Sequence, residues 1–327
     1  MHCIGCVLCG TNPQMTFKPY PGLRPGNFYS GAGLDRCDHL RGDADWLTRQ
    51  RSGETARFVL VWRDKNLVAA EERAAQALWL GPKDLERLNG AEAEAVFLGH
   101  LQGEAIFALD FSHIETPEQV PAALGRGRFE DLRAVGPLME RHEGAILAYA
   151  RGLMHWHKRH RFCGLCGGAT ESRNGGHVRA CTNATCGTHH FPRTDPAVIM
   201  LVHAGDRCVL GRQKNWINGM HSTLAGFVEP GESLEEAVAR EVFEEVGIEV
   251  NRVAYHSSQP WPFPSSIMLG FYAEAAHGPL KVNQDELGGA EWFTREELRA
   301  SPENESFRLP RRDSIARRLI EDWLSEA

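Results

Sequence analysis

The stretch Gly226–Ile248 leaves its part of the chain little choice of structure. Ser233 followed by Glu236 forms a capping box, so a helix should begin at Leu234. Gly247 is placed to end it after Val246. At about 100° per residue, Glu241 and Glu245 fall about 40° apart on one stripe of that helix. Leu234 and Val238 share the stripe, Glu244 lies on its flank, and Arg240 reaches Glu244 at i,i+4. Glu232 adds a fourth carboxylate from the preceding loop. A solvated acidic face is a poor account of this pattern, because Leu and Val occupy the same stripe. Like charges at i,i+4 also oppose a helix unless something cationic lies between them. Clustered carboxylates suit hard divalent cations, Mg²⁺ or Mn²⁺. Such ions neutralise phosphate oxygens and activate water for attack at phosphorus.

The nine cysteines supply the second constraint. Cys163-x2-Cys166 and Cys181-x4-Cys186, fourteen residues apart, are two pairs able to close a tetrahedral Zn²⁺ site. Four thiolates leave no position for water, so this zinc should be structural. A redox centre would need only one pair. The flank His155–Arg161 is basic and aromatic, which suits a nucleic-acid module, although a solvated helix end is the plainer reading. His2, Cys3, Cys6 and Cys9 form one compact cluster. A zinc site usually joins two separated halves, so an irregular lead-in is favoured over a second metal site.

At 327 residues the chain should hold two or three domains. With 42% hydrophobic and 24% charged residues, it is not a disordered chain. A net charge of −7 provides no global basic field, so non-specific nucleic-acid binding is not the default expectation. No apolar run approaches the roughly 18 residues of a membrane span, and no basic-then-apolar leader opens the chain. A cytoplasmic protein without membrane association is expected.

Phe58–Trp62 and Leu67–Val68 read as a hairpin, Ala105–Leu109 as a buried strand and Leu138–His160 as a helix. Strands are expected at Val198–Val202, Cys208–Leu210, Met268–Ala273 and Ala290–Phe293, with a closing amphipathic helix at Ser314–Leu324. No internal repeat is legible. In Ser258–Ser266, Pro260, Pro262 and Pro264 should hold the chain extended. Gln259, Trp261, Phe263 and Ser265 would then line one side. A structural proline-rich loop is the alternative.

The segment Gly226–Ile248 is similar to the box of the Nudix hydrolases, G-x5-E-x7-R-E-U-x-E-E-x-G-U with U apolar. Every fixed position is filled, by Gly226, Glu232, Arg240, Glu241, Val242, Glu244, Glu245, Gly247 and Ile248. Ser258–Ser266 resembles the SQPWPFPxS array of the NADH pyrophosphatase branch, and the cysteine module resembles that branch's zinc ribbon. The departures are residues 1–26, the x4 spacing of Cys181–Cys186, and a loosely patterned N-terminal region.

The resemblance implies an α+β multidomain chain. Residues 1–26 would be an irregular extension and 27–160 an N-terminal α+β domain. Residues 161–192 would form the zinc ribbon and 193–327 a Nudix α/β/α sandwich. It implies cleavage of NADH or NAD⁺ into nicotinamide mononucleotide and AMP, and allows removal of an NAD cap from RNA 5′ ends by the same chemistry. Implied Mg²⁺ or Mn²⁺ ligands are Glu241 and Glu245 with Glu244, the Ala225 carbonyl, and Glu286. Arg240 would orient Glu244, and Phe191 and Phe227 would stack on rings. Implied substrate contacts are Gln259, Pro260, Trp261, Pro262, Phe263, Pro264, Ser265 and Ser266. Glu232, Glu244 and Glu245 remain open as the base. A homodimer is also implied. The opposing reading, a zinc-ribbon scaffold or nucleic-acid binder with a dead hydrolase domain, conflicts with the complete set of glutamates.

Overall fold

The computed structural model describes residues 26–90 and 93–326, so the Cys3–Cys9 cluster lies outside the described residues. The first sheet comprises β1 (Arg57–Trp62), β2 (Lys65–Ala70), β3 (Ala75–Ala77), β4 (Ala95–Leu101), β5 (Glu104–Asp110) and β6 (Arg128–Glu130). Its order is β3-β2-β1-β5-β4, with β6 added on β2. Alternation along β1 explains its two cores. Val59 and Val61 face helix α1 (Arg141–Arg159), among Ile146, Leu147 and Leu153, while Phe58 and Leu60 face the opposite core with Phe97 and Leu109. The α1 helix starts later than Leu138, because Pro137 sits in a separate short turn, Gly136–Leu138.

Three short strands follow in the cysteine module: β7 (Thr170–Arg173), β8 (Val178–Cys181) and β9 (His189–His190). The C-terminal sheet comprises β10 (Asp195–Ala204), β11 (Arg207–Arg212), β12 (Leu224–Phe227), β13 (Val250–Trp261), β14 (Ser266–Ala275) and β15 (Gly289–Thr294). Its order is β13-β14-β10-β11-β15, with β12 on β10. Helix α2 (Leu234–Val246) packs over Val198, Met200 and Val202, and helix α3 (Ile315–Ser325) packs beneath Ile199, Leu201 and Leu210. The result is an α/β/α sandwich.

The two large sheets share one core topology. In the first, hairpin β1–β2 and hairpin β4–β5 meet through the parallel pair β1–β5. In the second, hairpin β10–β11 and hairpin β13–β14 meet through the parallel pair β10–β14. The absence of a legible repeat is thus corrected at the level of fold. Strand pairing needs only alternating burial, and that can be preserved without residue identity.

The extended strip expected at Ser258–Ser266 is also corrected. Strand β13 ends at Trp261, Pro262–Ser265 reverse the chain, and Trp261 pairs with Ser266. Phe263 turns into the N-terminal core, its ring 5.7 Å from Tyr29 and 5.0 Å from Trp261. Arg151 and Arg133 lie over that ring, and Arg151 donates to the Pro262 carbonyl at 2.9 Å. Gln259 is fully buried. Its amide nitrogen donates to the carbonyls of Asp313 (2.8 Å) and Phe28 (3.2 Å), and its oxygen accepts from the Ile315 N–H (2.8 Å). Gln259, Pro262 and Phe263 therefore join the two sheets here, while Pro260, Trp261, Pro262, Ser265 and Ser266 also line a cavity.

Candidate active site

The site is assembled by the β12–loop–α2 segment. The capping box forms as expected: the Glu236 N–H donates to Ser233 Oγ (3.2 Å) and the Ser233 N–H donates to Glu236 (2.8 Å). At the other end Gly247 takes φ 70°, and its N–H donates to the Phe243 carbonyl. The fixed helix delivers Glu241 and Glu245 to the face that meets β12, where both are buried. Gly226 is required by this approach, since a Cβ placed there would lie 1.8 Å from the Glu241 carboxyl carbon.

Arg240 is the hub of the acidic group. It donates to Glu232 (2.5 and 3.0 Å), Glu241 (2.9 Å) and Glu244 (2.9 Å), and to the Phe227 carbonyl (2.9 Å). Its reach is wider than the expected contact with Glu244 alone. The Arg240 bond, followed by one from the Glu229 N–H, holds Glu232 below the usual carboxylate range. Burial raises Glu241, although Arg240 opposes the shift. Burial, followed by the charges of Glu241 and Glu286, pushes Glu245 up to about 8, against a backbone hydrogen bond from Ala225.

Glu245 Oε2 is buried without a hydrogen-bond partner. A buried carboxylate oxygen without a partner, under the charges of two other carboxylates, suits a divalent cation, because the ion would supply the missing positive partner. Glu286 joins from the loop after β14. Backbone bonds from Lys281 to Val246 and from Asn283 to Glu245 tie that loop to the end of α2. Glu241 links the two groups: Arg240 holds it together with Glu232 and Glu244, while its charge and that of Glu286 act on Glu245. Phe227, at the end of β12, and Phe191, after the ribbon, are each 61% exposed, free to present ring faces.

The four cysteines converge. Their sulfur atoms all lie within 4.8 Å of one another, with Cys163–Cys186 at 3.8 Å and Cys166–Cys181 at 3.4 Å. A tetrahedral zinc–thiolate site with Zn–S of about 2.3 Å has sulfur edges of about 3.8 Å, so the donor set fits Zn²⁺. His190 Nε2 lies 3.3 Å from Cys163 Sγ, and the Gly168 N–H donates to Cys166 Sγ at 3.4 Å, contacts that offset thiolate charge.

Sequence reasoning missed three features. One is a cavity of about 420 Å³ that includes Trp216, Met220, Trp261, Arg311 and Ser314 in its walls and none of the glutamates. A second is a cavity of about 430 Å³ at the junction of α1, the ribbon and the β13–β14 turn; its walls include Tyr149, Arg193, Trp261 and Ser266. Trp261 contributes to both, and Pro260, Pro262, Ser265 and Ser266 of the proline-rich segment singled out in the sequence line the second; what the sequence did not signal is the part of each wall drawn from distant residues. The third is a clamp in which Glu94 accepts from Arg179 (2.9 Å) and pairs with His157 (3.0 Å), fastening the ribbon to the first sheet.

Family models match the chain in three consecutive parts. Residues 55–156 match an NADH pyrophosphatase-like rudimentary NUDIX domain, 158–191 an NADH pyrophosphatase zinc ribbon domain, and 193–316 a NUDIX domain. The chain is 41% identical over 247 residues to the NAD-capped RNA hydrolase NudC of Stutzerimonas stutzeri, covering 75% of this chain and 83% of that protein. It is 38% identical over 314 residues to the NAD-capped RNA hydrolase NudC of Mycobacterium bovis, covering 92% and 96%. It is 35% identical over 344 residues to the NAD-capped RNA hydrolase NUDT12 of Homo sapiens, covering 91% and 73%. With the box glutamates, the cysteine quartet and the duplicated sheet in place, this chain belongs to the zinc-ribbon-bearing NADH pyrophosphatase branch of the Nudix hydrolases.

Proposed function

We propose that the protein hydrolyses the pyrophosphate bond of NADH or NAD⁺, releasing nicotinamide mononucleotide in the matching redox state and AMP. The same reaction would act on NAD capping an RNA 5′ end, as the names of its relatives suggest. The observation that carries this reading is the buried, unpartnered oxygen of Glu245 beside Glu241 and Glu286.

Glu241, Glu245, Glu286 and the Ala225 carbonyl would hold Mg²⁺ or Mn²⁺, and Cys163, Cys166, Cys181 and Cys186 would hold structural Zn²⁺. The divalent ion, when bound, supplies charge neutralisation at the pyrophosphate oxygens. Arg240 acts as a positioning residue, fixing Glu232, Glu241 and Glu244 before substrate arrives. Glu244, half-exposed at the rim, and Glu232 are the carboxylates available to take a proton from the attacking water. Phe227 and Phe191 would stack on the bases, and Trp261 with Ser265 and Ser266 would shape the dinucleotide path.

A reducing, cytoplasmic setting is part of the proposal and suits the zinc quartet and the free thiols of Cys37 and Cys208. No described helix is long and apolar enough to cross a membrane. A homodimer is part of the proposal, to be checked by mass measurement in solution.

Product analysis on NADH, NAD⁺, ADP-ribose and NAD-capped RNA, with Mg²⁺ or Mn²⁺ and with chelator, tests the proposal. Glu245→Gln should lower kcat/KM by about 100-fold or more on the true substrate. Equal, slow turnover by wild type and variant would sink it.

A further inference from the structure

The ribbon carries a charge opposite to that of the rest of the molecule. Between Lys158 and Arg193 there are six Lys and Arg residues against the single acidic residue Glu171, a net +5, within a chain whose net charge is −7. The remaining residues therefore carry −12. A zinc held by four thiolates removes about two of the ribbon's positive charges and leaves the sign unchanged.

Four of these cations, Lys158, Arg159, Arg161 and Arg193, are exposed, and none pairs with a carboxylate among the described residues. The last turn of α1 explains Lys158 and Arg159 as partners of the helix dipole. It does not explain Arg161 or Arg193, which lie beyond it. The aromatic part of the flank proves to be internal, since Trp156 and His157 are buried. Exposed rings come instead from Phe162 (66%) and Phe191 (61%).

The ring of His190 ties these residues together, lying 6.4 Å from that of His160 and 3.3 Å from Cys163 Sγ. Arg161 and Phe162 sit between those two contacts in sequence, while Phe191 and Arg193 follow His190. From Phe191 the chain runs directly into β10, where Ala197 pairs with Phe227 and the Val228 N–H donates to the Pro196 carbonyl. Ala197 lies six positions along the chain from Phe191, so the basic surface starts within roughly 20 Å of the catalytic segment.

We propose that this ribbon surface, Lys158–Phe162 together with Arg193, is a track for the single-stranded RNA that follows an NAD cap, leading away from the dinucleotide's ring at Phe191. Cations along the track meet successive phosphates, and the exposed Phe162 ring offers a face on which a base stacks without sequence preference. This rests on the reading that NAD-capped RNA is a substrate. A second copy of the chain is a poorer occupant, because a two-fold contact would set the positive surface against itself. Free NADH needs no such track, so the surface would separate the two substrates energetically.

The test is the triple variant Lys158→Gln, Arg159→Gln, Arg161→Gln, all outside the catalytic machinery. Steady-state kinetics would be measured on NADH and on a capped single-stranded RNA of about 20 nucleotides over a salt series. NADH turnover should stay within twofold, which also reports an intact fold. kcat/KM on capped RNA should fall about tenfold or more at low salt. Its log–log salt slope should become shallower by about 2, from roughly 0.7 per lost contact. Equal changes on the two substrates, or an unchanged slope, overturn the proposal. If the triple variant loses NADH turnover, Arg161→Gln alone, outside the helix, carries the comparison.

Uncapped RNA of the same sequence separates this inference from the reading beneath it. It should inhibit NADH turnover of the wild type more strongly than that of the variant. If the wild type leaves capped RNA intact yet uncapped RNA still inhibits through these residues, the cap reading fails and the surface stands. If uncapped RNA inhibits both proteins equally, or neither, the surface is refuted.

Discussion

Two sheets in this molecule have the same core and different chemistry. β2-β1-β5-β4 and β11-β10-β14-β13 each join two hairpins through a central parallel pair. Between the hairpins the C-terminal copy carries a thirteen-residue helix with the glutamates. The N-terminal copy carries a six-residue helix, Pro82–Arg87, at the corresponding place. There Asp84 is spent on local structure: it accepts from the Gly81 N–H at 3.1 Å and pairs with Arg126 at 2.9 Å. A shared sheet is thus a scaffold, and activity depends on what the connecting segment places against it. The N-terminal copy has kept a different task, providing the core into which Phe263 wedges.

The sharpest way to probe this difference is through one glycine in the segment leading to each helix, Gly226 in β12 and Gly81 at the N-cap of Pro82–Arg87. At Gly226 an added Cβ meets the Glu241 carboxylate, so Gly226→Ala must push that group off its position. Displacement of a catalytic group by about 1 Å costs about 100-fold, and that is the expected fall in kcat/KM on NADH. At Gly81 an added Cβ meets nothing within 4 Å, and Gly81→Ala should leave kcat/KM within twofold. Comparable losses at both positions would mean that the N-terminal copy takes part in catalysis.

The parts of this structure legible in sequence are those set by local rules. The capping box and Gly247 fix α2 from neighbouring residues, and the cysteine spacing fixes the zinc site. What was illegible depends on distant parts of the chain. The prolines of Ser258–Ser266 restrict φ but do not say where the chain reverses, and that is decided by the pairing of β13 with β14. The burial of Gln259 could not be read from the sequence because the partners that hold it, Phe28, Asp313 and Ile315, are remote along the chain. The Glu94–His157–Arg179 clamp spans 85 residues for the same reason.

The coupling of the two copies can be broken next. Phe263→Ala removes a ring enclosed by Tyr29, Trp261, Arg133 and Arg151. The cavity should cost about 3 kcal/mol. Because the lost ring belongs to the joint, calorimetry should show the melting transition lowered and split, with one component for each sheet. A single transition at the wild-type midpoint would show that the wedge carries little coupling.

A last comparison concerns the buried carboxylate that has no counterpart among the described residues of the N-terminal copy. Without divalent ions, burial and the neighbouring charges hold the Glu245 proton to about pH 8, far above an ordinary glutamate. In the unfolded chain that proton is lost at about pH 4.3, the ordinary value for a glutamate. Between those values the folded state binds the extra proton, so stability must fall as pH rises, then level off above about 8. A divalent cation at the site displaces the proton and favours the ionised form, so it should flatten the fall. Thermal melts in chelator from pH 5 to 9, on wild type and Glu245→Gln, isolate this contribution. The variant has no proton to lose at that position, so the difference in melting temperature between the two proteins should change steadily across the window and stop changing beyond it. A constant difference would place the linkage on another group and return Glu245 to the class of ordinary, solvated carboxylates.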